Sequence, residues 1–135
     1  MAEGFTRARA TKILTDNIKE TTTFIALSTT TPDENGGNFT EPPTSAGYTR
    51  RAFGPLNTSI QGQVANRDII FVFEATEDCG SVTHVGLCDS SARGSTPFLM
   101  GKLTNPITVG AGYVPLIRAN KLVIGLDKEA LEAYV

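Results

Sequence analysis

The side chains best suited to chemistry in this sequence are one histidine, His84, and two cysteines, Cys79 and Cys88. With Asp89 they have the residue types of a zinc shell built from thiolates and imidazole. However, the spacing Cys-x4-His-x3-Cys lacks the close cysteine pair with which common zinc modules begin. We therefore interpret these residues as strand residues beside a turn, and we predict no metal site.

Nucleophilic catalysis would have to use His84 as its base, because the sequence contains no second histidine. No Gly-x-Ser-x-Gly elbow is present to support a serine nucleophile. Glu74, Glu77 and Asp78 are clustered carboxylates, but they lie at a predicted strand end, which favours a solvated turn. We predict that the protein is not an enzyme and has no catalytic residue. A small hydrolase using His84 is kept as a remote alternative.

The glycine-containing loops do not fit known ligand motifs. Gly110-Ala111-Gly112 lacks the third glycine of a dinucleotide loop, and no helix pattern follows it. The segment Asp33-Glu34-Asn35-Gly36 is similar to a calcium loop, but its glycine comes too early and the distal glutamate is missing. We predict no cofactor.

The charge and hydropathy of the sequence argue against nucleic acid and membranes as partners. The chain has 135 residues, 12 Lys and Arg, 14 Asp and Glu, and a net charge of −2, which is unlike a general polyanion binder. Two basic groupings, one at Arg7, Arg9 and Lys12 and one at Arg50 and Arg51, have no aromatic platform and are interpreted as solvated faces. No apolar run is long enough to span a bilayer. We predict neither nucleic acid nor membrane as a partner.

The elements that position these residues begin with a short N-terminal helix. Ala10, Ile13, Leu14 and Ile18 fall at helical spacing and predict a helix over residues 5–19. It has a single narrow apolar stripe, which must pack on the protein's own sheet, on a neighbouring subunit or on another protein.

A buried strand and a long loop are predicted next. The segment 23–29 is apolar on both faces and β-branched at its start, which favours a buried strand. Residues 30–47 are almost all turn formers, with Asn35-Gly36-Gly37 at the tip, and predict a long surface loop.

Beyond residue 47, turn formers such as Asn105-Pro106 recur at short intervals. They separate six short apolar segments: Tyr48–Phe53, Asp68–Phe73, Val82–Cys88, Pro97–Leu103, Tyr113–Ile117 and Leu122–Leu126. Short strands at this spacing are typical of an antiparallel sandwich or barrel. We predict a mainly β fold, a jelly-roll-like antiparallel β-sandwich with a short N-terminal helix, over a single domain of residues 1–135.

Charge is segregated along the chain. Residues 68–89 hold five acids and no Lys or Arg, whereas residues 90–126 hold four bases and no acid. One interpretation is cross-strand pairing within a sheet. The other is a head-to-tail contact between subunits, in which opposed patches set orientation.

The sequence as a whole resembles a known family. The residues that carry the resemblance are FIALSTTTP, GYTRRAF, the stretch from Val64 to Tyr113 and the closing LVIGL, with the strongest part running from Phe73 to Asp89. These segments are similar to a family of small virion structural proteins of tailed bacteriophages, often tail-fibre-like. The sequence departs from that pattern at Cys79 and Cys88, where the family has aromatic residues, and at Tyr113, where an acid is common.

The resemblance implies a non-enzymatic β-sandwich in a phage particle, either tail- or fibre-associated or on the head surface as a capsid decoration. The family carries no catalytic residue that could be transferred. Localisation in the virion, after synthesis in the host bacterial cytoplasm, is expected. The alternative is a host-surface glycan-binding module of a tail tip, which would need an exposed aromatic cluster in a concavity.

Assembly is the remaining prediction. Edge strands of a sandwich need cover, and the charged segments are complementary, so we predict a homo-oligomer, a trimer, that also contacts other phage proteins. A sandwich closes its core without an appended helix, so the helix is predicted to be an assembly handle. Its predicted interface comprises Phe5, Arg9, Lys12, Ile13, Leu14 and Ile18.

Overall fold

A computed structural model describes residues 5–125 of the chain. In chain order its elements are α1 (Arg7–Asn17), β1 (Phe24–Ser28), a 3-10 turn (Thr44–Ala46), β2 (Arg51–Ala52), β3 (Leu56–Asn57), β4 (Gln63–Asn66), β5 (Ile70–Phe71), β6 (Gly80–Cys88), β7 (Leu99–Val109), β8 (Leu116–Ile117) and β9 (Val123–Gly125). The fold is mainly β with antiparallel sheets and one short N-terminal helix, as predicted.

The chain divides into two compact units. Within the described range, unit 1 contains residues 5–20, 53–70 and 117–125, and unit 2 contains residues 21–52 and 71–116. Strands β5 and β8 form a separate two-stranded sheet. The single domain over residues 1–135 stays a prediction.

Unit 2 is built on a four-stranded antiparallel sheet with the strand order β2-β1-β6-β7. Ile25 to Ser28 of β1 are all buried, which agrees with the prediction of a strand covered on both faces. Strand β6 is buried from His84 to Cys88 and pairs with β1 along its C-terminal part. These two strands therefore form the centre of the unit.

The predicted turn at Asn105-Pro106 is wrong, because both residues lie inside β7. The pairing of β6 with β7 shifts between Val82 and His84, whose partners are Ile107 and Lys102. The intervening β7 residues, including the proline, bulge opposite a single β6 residue. Proline is tolerated there because β7 is the edge strand of this sheet.

The segment 30–47 contains no strand. Its first part closes on itself, since the Asp33 carboxylate accepts hydrogen bonds from the amides of Asn35 (2.9 Å) and Gly37 (2.8 Å). The second part is only partly on the surface as predicted, because Glu41, Pro42 and Ala46 are buried whereas Pro43, Thr44 and Ser45 are exposed. Three of its side chains are therefore part of the core.

Unit 1 consists of α1 and a three-stranded sheet with the order β3-β4-β9. The helix is shorter than the predicted 5–19. It begins after Thr6, whose hydroxyl accepts from the Arg9 amide, and it ends at Asn17 because Ile18 has extended backbone. The helix packs on β4 and β9. No helix within residues 5–125 is long and apolar enough to cross a membrane.

Candidate functional site

The predicted interface residues of the helix separate into two groups. Leu14 is 6% exposed and Ile18 is 1% exposed, so both belong to the core of unit 1, together with Ala10. Ile13 is half-buried, whereas Arg9 and Lys12 are exposed and Phe5, just before the helix, is 49% exposed. A partner can therefore reach Phe5, Arg9 and Lys12, but not the centre of the apolar stripe.

The residues considered for catalysis and zinc are not gathered into one site. His84 is buried on β6, and its Nδ1 lies 2.8 Å from the hydroxyl of Thr83. Side chains of consecutive strand residues normally point to opposite faces of a sheet. Those of Thr83 and His84 can contact each other because the β6–β7 register shifts between Val82 and His84. Cys79 and Cys88 are both free thiols, at opposite ends of β6. In the described range, no three His, Cys, Asp or Glu residues come close enough to hold a metal ion.

A buried ion pair that the sequence analysis missed lies at the other end of unit 2. Arg50 Nε donates to Glu41 Oε1 at 2.8 Å, and Arg50 Nη2 donates to Glu41 Oε2 at 3.2 Å. The Tyr48 hydroxyl donates to Glu41 Oε1 at 2.7 Å, and the Gly94 amide donates to Glu41 Oε2 at 2.8 Å. Arg50 was interpreted as part of a solvated face, which is wrong, since it is 7% exposed. We call Glu41, Tyr48 and Arg50 the Glu41 network.

The Glu41 network ties three segments of unit 2 together. The remaining donors of Arg50 reach Ser90 O, Ser95 O and Ser95 Oγ in the loop between β6 and β7. From the same loop, Arg93 donates to the carbonyl oxygens of Glu41 (2.9 Å) and Pro42 (3.0 Å). The Tyr48 hydroxyl also accepts from the Leu27 amide of β1 at 3.1 Å. All five guanidinium hydrogens have an acceptor, so the network holds loops in place and leaves no donor for a substrate.

Electrostatics in the Glu41 network keep its ion pair charged. Burial acts to raise the pKa of Glu41, but hydrogen bonds from Arg50, Tyr48 and the Gly94 amide outweigh it, and the pKa is lowered. Burial and the neighbouring Glu41 carboxylate raise the pKa of Tyr48, which stays protonated as a donor. Burial also raises the pKa of the nearby Cys88 thiol, although Arg50 acts in the opposite direction.

The lowered pKa of Glu41 makes the stability of unit 2 dependent on pH. A carboxyl with a depressed pKa in the folded state contributes stability above its unfolded value, near 4.5 here, and loses it as pH falls through the folded pKa. We expect Glu41→Gln to be less stable than wild type at pH 7, with the difference shrinking below about pH 4.5. Denaturant unfolding of both proteins at several pH values measures this. A difference that stays constant down to pH 3 would contradict it.

Loops on both sides of the Glu41 network meet over a glycine of β6. A Cβ atom on Gly86 would lie 2.9 Å from the Phe39 ring and 3.0 Å from Pro97, so only glycine fits without a shift. Between the same loops lies a pocket of about 230 Å³, lined by Gly36, Gly37, Asn38, Phe39, Glu41, Gly94, Ser95, Thr96 and Pro97. Its only aromatic side chain, Phe39, is half-buried, and His84 does not line it. The pocket therefore adds no support to the glycan-binding or hydrolase alternatives.

The described residues form a mainly β protein in which a buried polar network fixes the loops of unit 2. The chain belongs to a family of bacteriophage fibre proteins: the family model described as podophage GP4 fiber I protein gp80 matches residues 14–125. The resemblance to tail-fibre-like virion proteins is thereby confirmed. No curated protein matches the chain significantly.

Proposed function

We propose that this chain is a non-enzymatic building block of the phage particle, tail- or fibre-associated, that self-assembles as a trimer and docks on other particle proteins. It would be made in the host bacterial cytoplasm and be located in the virion. The fibre family supports the structural role. The jelly-roll-like sandwich predicted from the sequence remains part of this proposal.

One observation carries the assembly part of the proposal. Phe5 is 49% exposed just before α1, and Arg9 and Lys12 are exposed on the helix, whereas the centre of its apolar stripe lies in the core of unit 1. Aromatic residues and arginine are enriched at protein interfaces. Strand β7 supports assembly as well, because it is an 11-residue edge strand of the unit 2 sheet.

Oligomeric state and virion content test this proposal directly. We expect light scattering of purified wild type to give the mass of a trimer, and mass spectrometry to find the chain in purified virions. Phe5→Ser is expected to weaken self-association about tenfold or more, because it removes an aromatic anchor.

Ile69→Ser is the matched control for Phe5→Ser, since Ile69 is 42% exposed in the same unit but lies between β4 and β5. The control should assemble like wild type. A wild-type protein that is only monomeric and is missing from virions would refute the proposed function.

A further inference from the structure

The two units carry opposite net charge. Within the described residues, unit 1 has seven Lys and Arg against three Asp and Glu, whereas unit 2 has four against seven. The ion pairs in the described range are Lys12–Asp16, Arg50–Glu41 and Arg67–Asp68. None of these pairs joins the acidic segment 68–89 to the basic segment 90–126. Cross-strand pairing therefore does not explain the charge segregation in the described part of the chain.

Unit 2 has an exposed surface that is both acidic and aromatic. Glu74, Glu77 and Asp78 are exposed, and Tyr113 is 61% exposed. The Ala75 amide donates to Tyr113 O at 2.9 Å, which places the tyrosine beside the acidic segment. A Cβ on Gly110 would lie 3.5 Å from Asp78 Oδ1 and 3.9 Å from the Tyr113 ring, so carboxylate and ring lie next to each other. We call Glu74, Glu77, Asp78 and Tyr113 the acidic surface.

Unit 1 has a surface of the complementary kind. Phe5, Arg9 and Lys12 are exposed, and we call them the basic surface. Each of the two surfaces combines an exposed aromatic ring with charges mainly of one sign, although Lys12 on the basic surface also pairs with the exposed Asp16 at 2.9 Å. A guanidinium can stack on a tyrosine ring while pairing with neighbouring carboxylates, which suits arginine to such a contact.

We propose that the basic surface of one copy binds the acidic surface of the next copy, head to tail. This contact rests on the proposed self-assembly and names the residues that make it. The occupant is a second copy because the same chain supplies both complementary halves, and no other protein is needed to neutralise them. A head-to-tail contact uses two different surfaces of each copy, and it closes into a ring, such as a trimer, when the rotation between copies permits.

Charge reversal on each side tests the contact. The basic-side variant carries Arg9→Glu and Lys12→Glu, and the acidic-side variant carries Glu74→Lys and Glu77→Lys. Asp78 is left unchanged because its Oδ1 accepts from the Ala111 backbone amide at 3.0 Å and holds the turn. Glu77 accepts from the exposed hydroxyl of Ser45 at 3.0 Å, a side-chain bond that Glu77→Lys removes. Each variant places like charges across the contact and should weaken association about a hundredfold or more. The variant with all four changes restores opposite charges and should regain the wild-type mass in light scattering.

Matched controls reverse charges away from both surfaces. Asp89→Lys changes an exposed acid just after the far end of β6, about 33 Å along the extended chain from Cys79, and Lys121→Glu changes an exposed base of unit 1. Both controls should assemble like wild type, and circular dichroism should show the same fold for all variants. Failure of the four-change variant to reassemble, or assembly of either two-change variant, would overturn the head-to-tail contact alone. A wild-type protein that is monomeric would overturn the self-assembly on which it rests.

Discussion

Replacing Arg50 with methionine is expected to lower the free energy of unfolding by about 3–5 kcal/mol, because it leaves a buried carboxylate without its counter-ion. Glu41 is 6% exposed and accepts two of its four hydrogen bonds from Arg50. The substitution also removes the donors that reach Ser90 and Ser95, so the loop between β6 and β7 loses its attachment. Denaturant unfolding followed by circular dichroism measures the change.

The neighbouring residue provides the control for Arg50→Met. Arg51 is exposed, and Arg51→Met should change stability by no more than about 0.5 kcal/mol. Combining Arg50→Met with Glu41→Leu removes both charges and should recover part of the loss, because no buried carboxylate is left unpaired. A loss below about 1 kcal/mol for Arg50→Met would show that the Glu41 network does not hold unit 2 together.

Gly86→Ala is expected to destabilise unit 2 by about 1–3 kcal/mol, through overpacking rather than through lost contacts. The added methyl group would meet the Phe39 ring at 2.9 Å and Pro97 at 3.0 Å, so the loops on both sides of the pocket must move away from β6. Chemical shifts of the pocket-lining residues, together with denaturant unfolding, measure both effects.

Gly101→Ala is the matched control for Gly86→Ala. Gly101 pairs with Val85 on the adjacent strand, and a Cβ there would meet nothing within 4 Å. We expect Gly101→Ala to be as stable as wild type or slightly more stable, because alanine loses less backbone conformational entropy on folding than glycine does. Adding Phe39→Leu to Gly86→Ala should recover part of the loss, because it removes the clash with the Phe39 ring but not the one with Pro97. Equal losses from the two alanine substitutions would contradict this account of the glycine.

Local pattern was sufficient to predict the elements with strong apolar periodicity. The stripe of Ala10, Leu14 and Ile18 predicted α1, and the apolar segment 23–29 predicted β1. Strands β3 and β4 were missed because they are short and include polar residues such as Asn57, Gln63 and Asn66. Asn66 is fully buried, and its burial is tolerated because its side chain forms hydrogen bonds with backbone groups of Asp68, Arg118 and Leu122. The sequence does not reveal these partners.

The Glu41 network could not be predicted for a related reason. Glu41 follows a polar loop, and Arg50 stands beside Arg51, so both have the pattern of solvent-exposed residues. Their burial depends on Ser90, Gly94 and Ser95, which lie 40 or more residues further along the chain than Arg50. The alternation of Tyr48 and Arg50 on one side of an extended segment was the available clue, because residues two apart share a face.

The packing of α1 on β9 also affects how the protein is made. The helix ends at Asn17, whereas β9 begins at Val123, more than 100 residues later. During translation, the helix leaves the ribosome more than 100 residues before the strand that completes its packing surface. The surface around Phe5 and Arg9 should therefore reach its final form only after β9 has emerged. Nascent chains on one messenger RNA would then be kept from joining one another prematurely through that surface.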